Sequence, residues 1–294
     1  MSVALAYDAA RAYRRQPVRA PCNAEAIGES AAGCLLMELE TWPKPGLVSH
    51  VDNGSHDDMD AGTFRRSAAA IKPYFQRLAD AAAAGCDMGR LRIIGMEAEA
   101  AMLSATSGIN THRGAIFGLG LLCAAAGAKA GGWVDPEVPL GDAVSRLWGV
   151  GILDGPVLLH SHGAAARRRF QAGGARAEAA NGFPSVYRVG LPALRRAMRA
   201  VPEDAEAARI EACFALISAV EDTNLLHRGG LDGLRFAHRS TRLFLDQGGV
   251  RRPGWRERAR SVHHDFVARR LSPGGSADLL AMTLFVETHE RPSP

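Results

Sequence analysis

Apolar residues recur every three or four positions along most of the chain, which is the spacing of one face of an α-helix. The clearest stripes lie at 27–39, 115–123 and 207–217. No segment alternates like a convincing β-strand, and alanine is abundant whereas β-branched residues are sparse. Further helices are predicted at 60–84, 90–106, 185–200, 231–246, 255–270 and 276–289. The pattern predicts an all-α fold, a compact multi-helical single domain of about ten or more helices.

The chain has 294 residues, enough to bury a substantial core in one large domain. We expect residues 1–22 to be a poorly anchored extension and residues 23–294 to form a single all-α domain. The first arginines follow the first apolar stretch, which is the wrong order for a secretory signal, and no apolar run approaches the roughly 18 residues of a membrane helix. The five cysteines have neither disulfide nor zinc spacing. We therefore expect a cytoplasmic protein with reduced thiols and no membrane partner.

The formal net charge is +4, and arginine supplies almost all of the positive charge. Solvated arginines alone explain this composition, but arginine also presents a planar fork of donors that suits a ligand with several phosphates. We do not expect nucleic acid as a partner, because the basic residues are spread along the chain and aromatic residues, at 6%, are too few for stacking platforms.

Residues 44–60 hold the densest polar chemistry, with one lysine, two histidines and four aspartates around two glycines and a proline. If a helix begins at Ser55 or His56, then His56 and Asp57 each share a helical face with Asp60. Carboxylates grouped in this way suit Mg²⁺, which takes one or two of them and leaves its other positions to water and substrate phosphates. Acids at a helix start also complement the helix dipole without any ligand. The density of the segment favours a phosphate or metal site.

A second polar block, residues 108–114, leads into a strongly apolar helix predicted at 114–126. Asn110 or Thr111 could serve as a plain N-cap. The backbone donors and Arg113 could equally meet an anion at the helix start. The sequence alone does not separate these two interpretations.

A third block spans residues 162–184, where Gly173 and Gly174 precede Arg176. Arg176 and Glu178 could form an exposed ion pair of little energetic value. The glycines instead suggest that the backbone closely approaches another group.

The last two blocks lie at 221–230 and 272–280. The first could be the C-cap of an apolar helix closed by glycines, which leaves Asp222 and Asn224 free to bind a metal or a ribose. In the second, a glycine turn followed by Ser276 as N-cap resembles a phosphate cradle. It is not a P-loop, because no Gly-Lys-Ser/Thr follows.

Taken in order, the five blocks resemble the triphosphoribosyl-dephospho-coenzyme A synthase family, over roughly residues 25–288. The residues that carry the resemblance are Pro43-Lys44-Pro45-Gly46-Leu47-Val48, Asp52-Asn53-Gly54 with His56, Asp57, Met59 and Asp60, Asn110-Thr111-His112 with Gly114, Gly174-Ala175-Arg176 with Glu178, Gly182-Phe183-Pro184, Asp222-Thr223-Asn224 with Arg228-Gly229-Gly230, and Ser272-Pro273-Gly274-Gly275-Ser276-Ala277-Asp278.

Within that family, residues 42–44 and 49–52 look more like the branch that serves malonate decarboxylase than the branch that serves citrate lyase. Arg113 stands where the family has lysine, and the charge is kept.

The resemblance implies a transferase that converts ATP and 3′-dephospho-coenzyme A to adenine and 2′-(5″-triphosphoribosyl)-3′-dephospho-coenzyme A. That product is the precursor of an acyl carrier protein's prosthetic group, and a further transferase would load it onto that protein. The domain at 23–294 would then be catalytic, and the chain could act as a homodimer. A β-linked donor that gives an α-linked product implies one inverting displacement through an oxocarbenium-like state.

The reaction needs a base for the attacking hydroxyl and a donor near the departing adenine. We expect Glu178 or Asp222 as the base and His56 or His112 near the leaving group. The expected ligands of Mg²⁺ are Asp57 and Asp60. The expected substrate-binding residues are Lys44, Asp52, Asn53, Asn110, Arg113, Arg176, Asn224, Arg228, Gly274, Gly275, Ser276 and Asp278.

Two rival functions fit the polar blocks less completely. A metal-dependent all-α phosphohydrolase acting on nucleotides would explain the grouped histidines and aspartates, and would release phosphate or pyrophosphate from ATP. A non-catalytic helical binding module would hold a ligand without turnover.

Overall fold

The computed structural model describes residues 22–155 and 174–291. Within these ranges the chain forms eleven α-helices and no β-strand, so the predicted all-α single domain is confirmed. The predicted extension at 1–22 lies outside the described residues except for its last residue, and so does the 162–173 part of the third block. The helices are α1 Ala24–Leu39, α2 Ala61–Ala83, α3 Met88–Ala105, α4 Arg113–Ala130, α5 Leu140–Leu153, α6 Gly174–Ala180, α7 Leu191–Ala200, α8 Ala205–Ala219, α9 Thr223–Asp246, α10 Trp255–Ala268 and α11 Gly274–His289.

Helix α4 is the centre of the domain. It packs against α2 most extensively and against α11, α5, α3 and α1 on its other sides. A helix that is apolar around its whole circumference must be buried on all sides, and α4 consists almost entirely of small and aliphatic residues. By length and hydropathy α4 could also cross a bilayer, but 67% of it is buried inside the protein, as expected of a core helix.

Glycines allow α4 to approach α2 closely. A Cβ atom added at Gly127 would overlap the carbonyl oxygen of Ala79, and one added at Gly131 would overlap that of Ala83. Because these obstacles are backbone atoms, no rotamer change could relieve the overlap. The spacing between α2 and α4 therefore depends on the absence of side chains at these positions.

Two predicted helices differ from the apolar pattern, one in where it begins and the other in the type of its first turn. Helix α9 begins at Thr223 rather than 231, because Asp222 caps it, and it continues through a kink at Gly230 (φ 59°, ψ −157°). The helix predicted at 185–200 begins as a π-helical turn, Val186–Gly190, and continues as α7. A short 3₁₀ turn, Gly249–Arg251, connects α9 to α10.

We predict that Gly127→Ala destabilises the domain by about 1–3 kcal/mol, because the added methyl group forces α2 and α4 apart. Urea unfolding measures the change. The matched control is Gly33→Ala in α1, where nothing lies within 4 Å of an added Cβ. Alanine there should stabilise the helix by about 0.5–1 kcal/mol. Equal effects of the two substitutions would contradict the close-packing interpretation.

Candidate active site

One cavity of about 800 Å³ receives side chains from all five polar blocks. Its walls include the starts of α4, α6, α9 and α11, which are far apart in sequence. Twelve of the residues expected from the sequence line it: His56, Asn110, His112, Arg113, Arg176, Glu178, Asp222, Asn224, Arg228, Gly274, Gly275 and Asp278.

Asp222 joins two helix starts at the cavity wall. Its Oδ1 accepts a hydrogen bond from the N–H of Asn224 at 2.9 Å, which caps α9. Its Oδ2 accepts from the N–H and the hydroxyl of Ser276, at 2.8 and 3.0 Å. The expected roles in capping therefore change: Asp222 is the N-cap of α9 rather than part of the end of α8, and Ser276 lies inside α11, which begins at Gly274. Burial raises the pKa of Asp222, although these hydrogen bonds oppose the rise.

Asp278, the fifth residue of α11, reaches the start of α4. It accepts a hydrogen bond from the N–H of Ala115. A Cβ atom added at Gly114 would overlap Oδ2 of Asp278, so the glycine makes room for the carboxyl group. His112 occupies the N-cap position of α4 without a side-chain cap bond. Oδ1 of Asn110 accepts a hydrogen bond from the N–H of Arg113 at 3.3 Å, so Asn110 does cap the helix start, from two residues before the N-cap position.

A buried ion pair, Glu38–Lys44, lies beside the cavity, which Glu38 lines. The Lys44 side chain is fully buried, and its ammonium donates to Oε1 of Glu38. Burial raises the pKa of Glu38, and the charge of Lys44 opposes the rise. Sequence analysis missed Glu38 because it lies within an apolar helical stripe, and its closeness in sequence to Lys44 was the one available signal.

His112 is buried and hydrogen-bonded on one side. Its Nδ1 lies 2.6 Å from the hydroxyl of Ser67, which also accepts a hydrogen bond from Thr111 at 2.7 Å. Burial, with the nearby charge of Lys44, lowers the pKa of His112 to about 3. His112 is therefore a neutral imidazole at physiological pH.

His56 lies at the cavity edge between α9 and the start of α11. Its Nε2 is 2.9 Å from the Ser272 hydroxyl, and Nη2 of Arg228 is 3.2 Å from its Nδ1. Burial lowers the pKa of His56, and the charge of Arg228 lowers it further. Arg228 also donates to the backbone carbonyls of Ser55 and Arg270, so it fixes the loop that carries His56.

Glu178, on α6, faces the cavity and holds the following turn. Its Oε1 accepts from the N–H of Ser185 at 2.6 Å, and its Oε2 accepts from the Ser185 hydroxyl at 3.0 Å. Burial raises its pKa despite these bonds. The side chain is half-buried, so it combines access to the cavity with a reduced preference for the charged form.

The remaining expected residues do not line the cavity. The Asn53-Gly54 turn keeps the chain non-helical, and α2 begins at Ala61, so the helix start expected at Ser55 or His56 was wrong. Asp60 instead caps α2 through the N–H of Thr63. The residues outside the cavity wall are Lys44, Asp52, Asn53, Asp57, Asp60 and Ser276.

Asp52 instead fixes its own loop. It accepts hydrogen bonds from the indole N–H of Trp42 and the N–H of Gly54, at 3.0 and 2.9 Å. Nε2 of His263 is 3.2 Å from Oδ1, and the other ring nitrogen of His263 is 2.6 Å from the carbonyl of Lys44. Burial raises the pKa of Asp52, but the hydrogen bonds from His263, Trp42 and Gly54 outweigh it and lower the pKa to about 2.

Other cavity residues were not expected from the sequence. Glu99 pairs with Arg113, with 2.9 Å between Oε2 and Nε. Arg92 lies one to two turns earlier on α3 and donates to the carbonyl of Gly151. Both lie in a helix whose polar positions resemble an ordinary solvated face, so no local pattern distinguishes them.

The sequence matches the family described as ATP:dephospho-CoA triphosphoribosyl transferase (CitG) over residues 24–294. The chain belongs to this family. As a family member it is a transferase, and the five polar blocks that carried the resemblance all fall within the matched residues.

Relatives of this transferase are named probable 2-(5″-triphosphoribosyl)-3′-dephosphocoenzyme-A synthase. Those from Azotobacter vinelandii and Stutzerimonas stutzeri are each 40% identical, over 275 and 281 residues, and each match covers 92% of this chain and 93% of the relative. One from Pseudomonas aeruginosa is 40% identical over 270 residues and 90% of both chains. No solved structure matches the chain significantly.

We predict that Asp52 stabilises this transferase at neutral pH and loses its effect in acid. Its folded pKa, about 2, is below the ordinary value of about 3.9. Its contribution is therefore full above the ordinary pKa and disappears as pH falls toward 2. Urea unfolding of wild type and Asp52→Asn between pH 7 and pH 3 measures the difference. A constant difference across this range would contradict the prediction.

Proposed function

We propose that this transferase moves the 5-triphosphoribosyl group of ATP onto the ribose 2′-hydroxyl of 3′-dephospho-coenzyme A and releases adenine. The observation that carries the proposal is the convergence of five separate polar blocks of the family on one cavity. The cavity offers carboxylates for an oxocarbenium-like state and helix starts for phosphates, and this reaction needs both.

We propose Glu178 rather than Asp222 as the base that takes the proton of the attacking hydroxyl. A carboxylate has about four acceptor positions. Asp222 uses all of them, on the N–H groups of Asn224 and Leu225 and on the two donors of Ser276. Glu178 uses two, both on Ser185, which leaves one free position on each oxygen. A raised pKa also suits proton transfer near neutral pH.

We propose that the starts of α4, α9 and α11 bind phosphate groups, because the helix dipole favours anions there. The N–H groups that Asp222 and Asp278 already occupy are not part of this proposal. Asn110, Asn224 and Arg228 line the cavity close to these starts. Gly274 and Gly275 let the backbone approach closely, since a Cβ at Gly274 would crowd Asn224. Substrate-binding roles for Lys44, Asp52 and Asn53 stay predictions, and the contacts of Lys44 and Asp52 are with other protein groups.

Mg²⁺ coordination by Asp57 and Asp60 is also a proposal. Both side chains are exposed, and Asp57 pairs with Arg270. Oδ1 of Asp60 is occupied by Thr63. Among the described residues no group of three or more His, Cys, Asp or Glu side chains is arranged to hold a metal ion. The two aspartates therefore fit an ion that arrives with the substrate phosphates, which needs only one or two carboxylates, better than a permanently bound ion.

We further propose that the product serves malonate decarboxylase, with the citrate lyase pathway as the alternative. Residues 42–44 and 49–52 support the malonate branch. A second transferase would load the product onto an acyl carrier protein, in the cytoplasm, and the enzyme could act as a homodimer. The neighbouring genes decide between the two pathways.

We predict that incubation with ATP and 3′-dephospho-coenzyme A releases adenine and forms a product that retains three phosphates. Chromatography with mass detection measures both. Omitting 3′-dephospho-coenzyme A should abolish adenine release. Phosphate or pyrophosphate in place of adenine would instead support the phosphohydrolase.

We predict that Asp57→Asn together with Asp60→Asn raises the Mg²⁺ concentration needed for half-maximal activity and weakens binding of Mg²⁺ with ATP. Titration calorimetry measures the binding directly. Asparagine is as good an N-cap as aspartate, so α2 and the fold should persist. The control is Asp80→Asn, an exposed aspartate on the same helix. Unchanged Mg²⁺ dependence in the double variant would remove the assignment.

A further inference from the structure

The proposed reaction needs a proton for the departing adenine, and neither expected histidine supplies one. His112 has its pKa lowered to about 3 by burial and the charge of Lys44. Burial and Arg228 lower the pKa of His56 as well. Both rings are neutral near pH 7 and can offer hydrogen bonds, but not a proton on the acid side of a transfer. The inference that follows rests on the proposed function.

Ionisable groups from other segments lie at this part of the cavity, beside Asp278. Two of them are carboxylates, Glu38 on α1 and Asp222 at the start of α9, and both disfavour a charge on Asp278. The ammonium of Lys44 is committed to Glu38. His112, at the start of α4, is neutral. Among the described residues the ammonium pairs with Glu38 alone, and neighbouring like charges disfavour ionisation of all three carboxyl groups together.

Hydrogen bonds decide which of the three keeps a proton. The ionised form of Glu38 is stabilised by Lys44, and that of Asp222 by four donors. Asp278 accepts from one described N–H, that of Ala115. Burial and the two neighbouring carboxylates raise the pKa of Asp278 well above its ordinary value. All three carboxyl groups line the cavity, and the proton is thus held by Asp278, which has no cationic partner like that of Glu38 and fewer donors than Asp222 among the described residues.

We propose that Asp278 is the general acid that protonates adenine as the glycosidic bond breaks. The bonding electron pair of C1′–N9 leaves with adenine, and the carboxyl proton of Asp278 moves to a ring nitrogen of that base. The 2′-oxygen of the acceptor bonds to C1′, and its proton passes to Glu178. Each turnover leaves Asp278 ionised and Glu178 protonated, and exchange with solvent restores both groups.

The test compares two donors that differ only in their need for a proton. ATP releases adenine, which needs protonation. The second donor, p-nitrophenyl ribofuranoside 5-triphosphate, releases p-nitrophenolate, which needs no proton. In wild type, activity with ATP should fall as pH rises through the raised pKa of Asp278. Activity with the nitrophenyl donor should lack this alkaline fall. Persistence of the same fall with both donors would overturn the proposal, and this comparison needs no variant.

Asp278→Asn removes the proton but keeps an acceptor for Ala115. Its kcat with ATP should fall by about 100-fold or more, while its rate with the nitrophenyl donor stays within about twofold of wild type. Glu178→Gln should lose activity with both donors, because the base acts on the acceptor. The surface control, Asp246→Asn, should match wild type.

Equal loss with both donors in Asp278→Asn would overturn the assignment, and so would full activity with ATP. Failure of the proposed function gives a different result, since wild type would then release no adenine from ATP under any condition.

Discussion

The buried Glu38–Lys44 pair is the interaction on which the site depends. Removing a carboxylate and an ammonium from water is expensive, and loss of either partner would leave an uncompensated buried charge. Glu38 also lines the cavity, so the pair is part of the cavity wall. The backbone carbonyl of Lys44 is bound by His263, which in turn contacts Asp52. One ion pair thus links the interior of the domain to the loop at 44–60.

Around this pair, two carboxylates connect the starts of three helices one after another. Asp222 caps α9, the helix it precedes, and also binds the first turn of α11 through Ser276. Asp278, two residues after Ser276 on α11, then reaches the start of α4. Each carboxylate is fixed by the backbone of another element, so the geometry of the site is set by the packing of helices rather than by flexible loops. Gly114 completes this arrangement because a side chain there would displace Asp278.

The sequence was sufficient for the fold and for much of the cavity wall. Helical stripes such as 27–39 and 207–217 are buried as their spacing predicts. It was harder to predict which helix a capping residue belongs to, because an Asp or Asn between two helical patterns can end one helix or begin the next. The pattern therefore also allows Asp222 at the end of α8, although in the structure it caps the start of α9. Glu38 was missed for a different reason, since it lies within an apolar helical stripe and only its closeness in sequence to Lys44 pointed to the pair.

The construction of the cavity from the starts of α4, α6, α9 and α11 has a consequence for how the domain responds to its ligands. From the first of these starts to the last the chain spans more than 150 residues, and no contiguous half of the chain contains them all. Local opening of any one of these helices would dismantle the cavity. Ligand binding and cooperative unfolding are therefore linked, and a bound substrate should raise the melting temperature of the whole domain in a single transition.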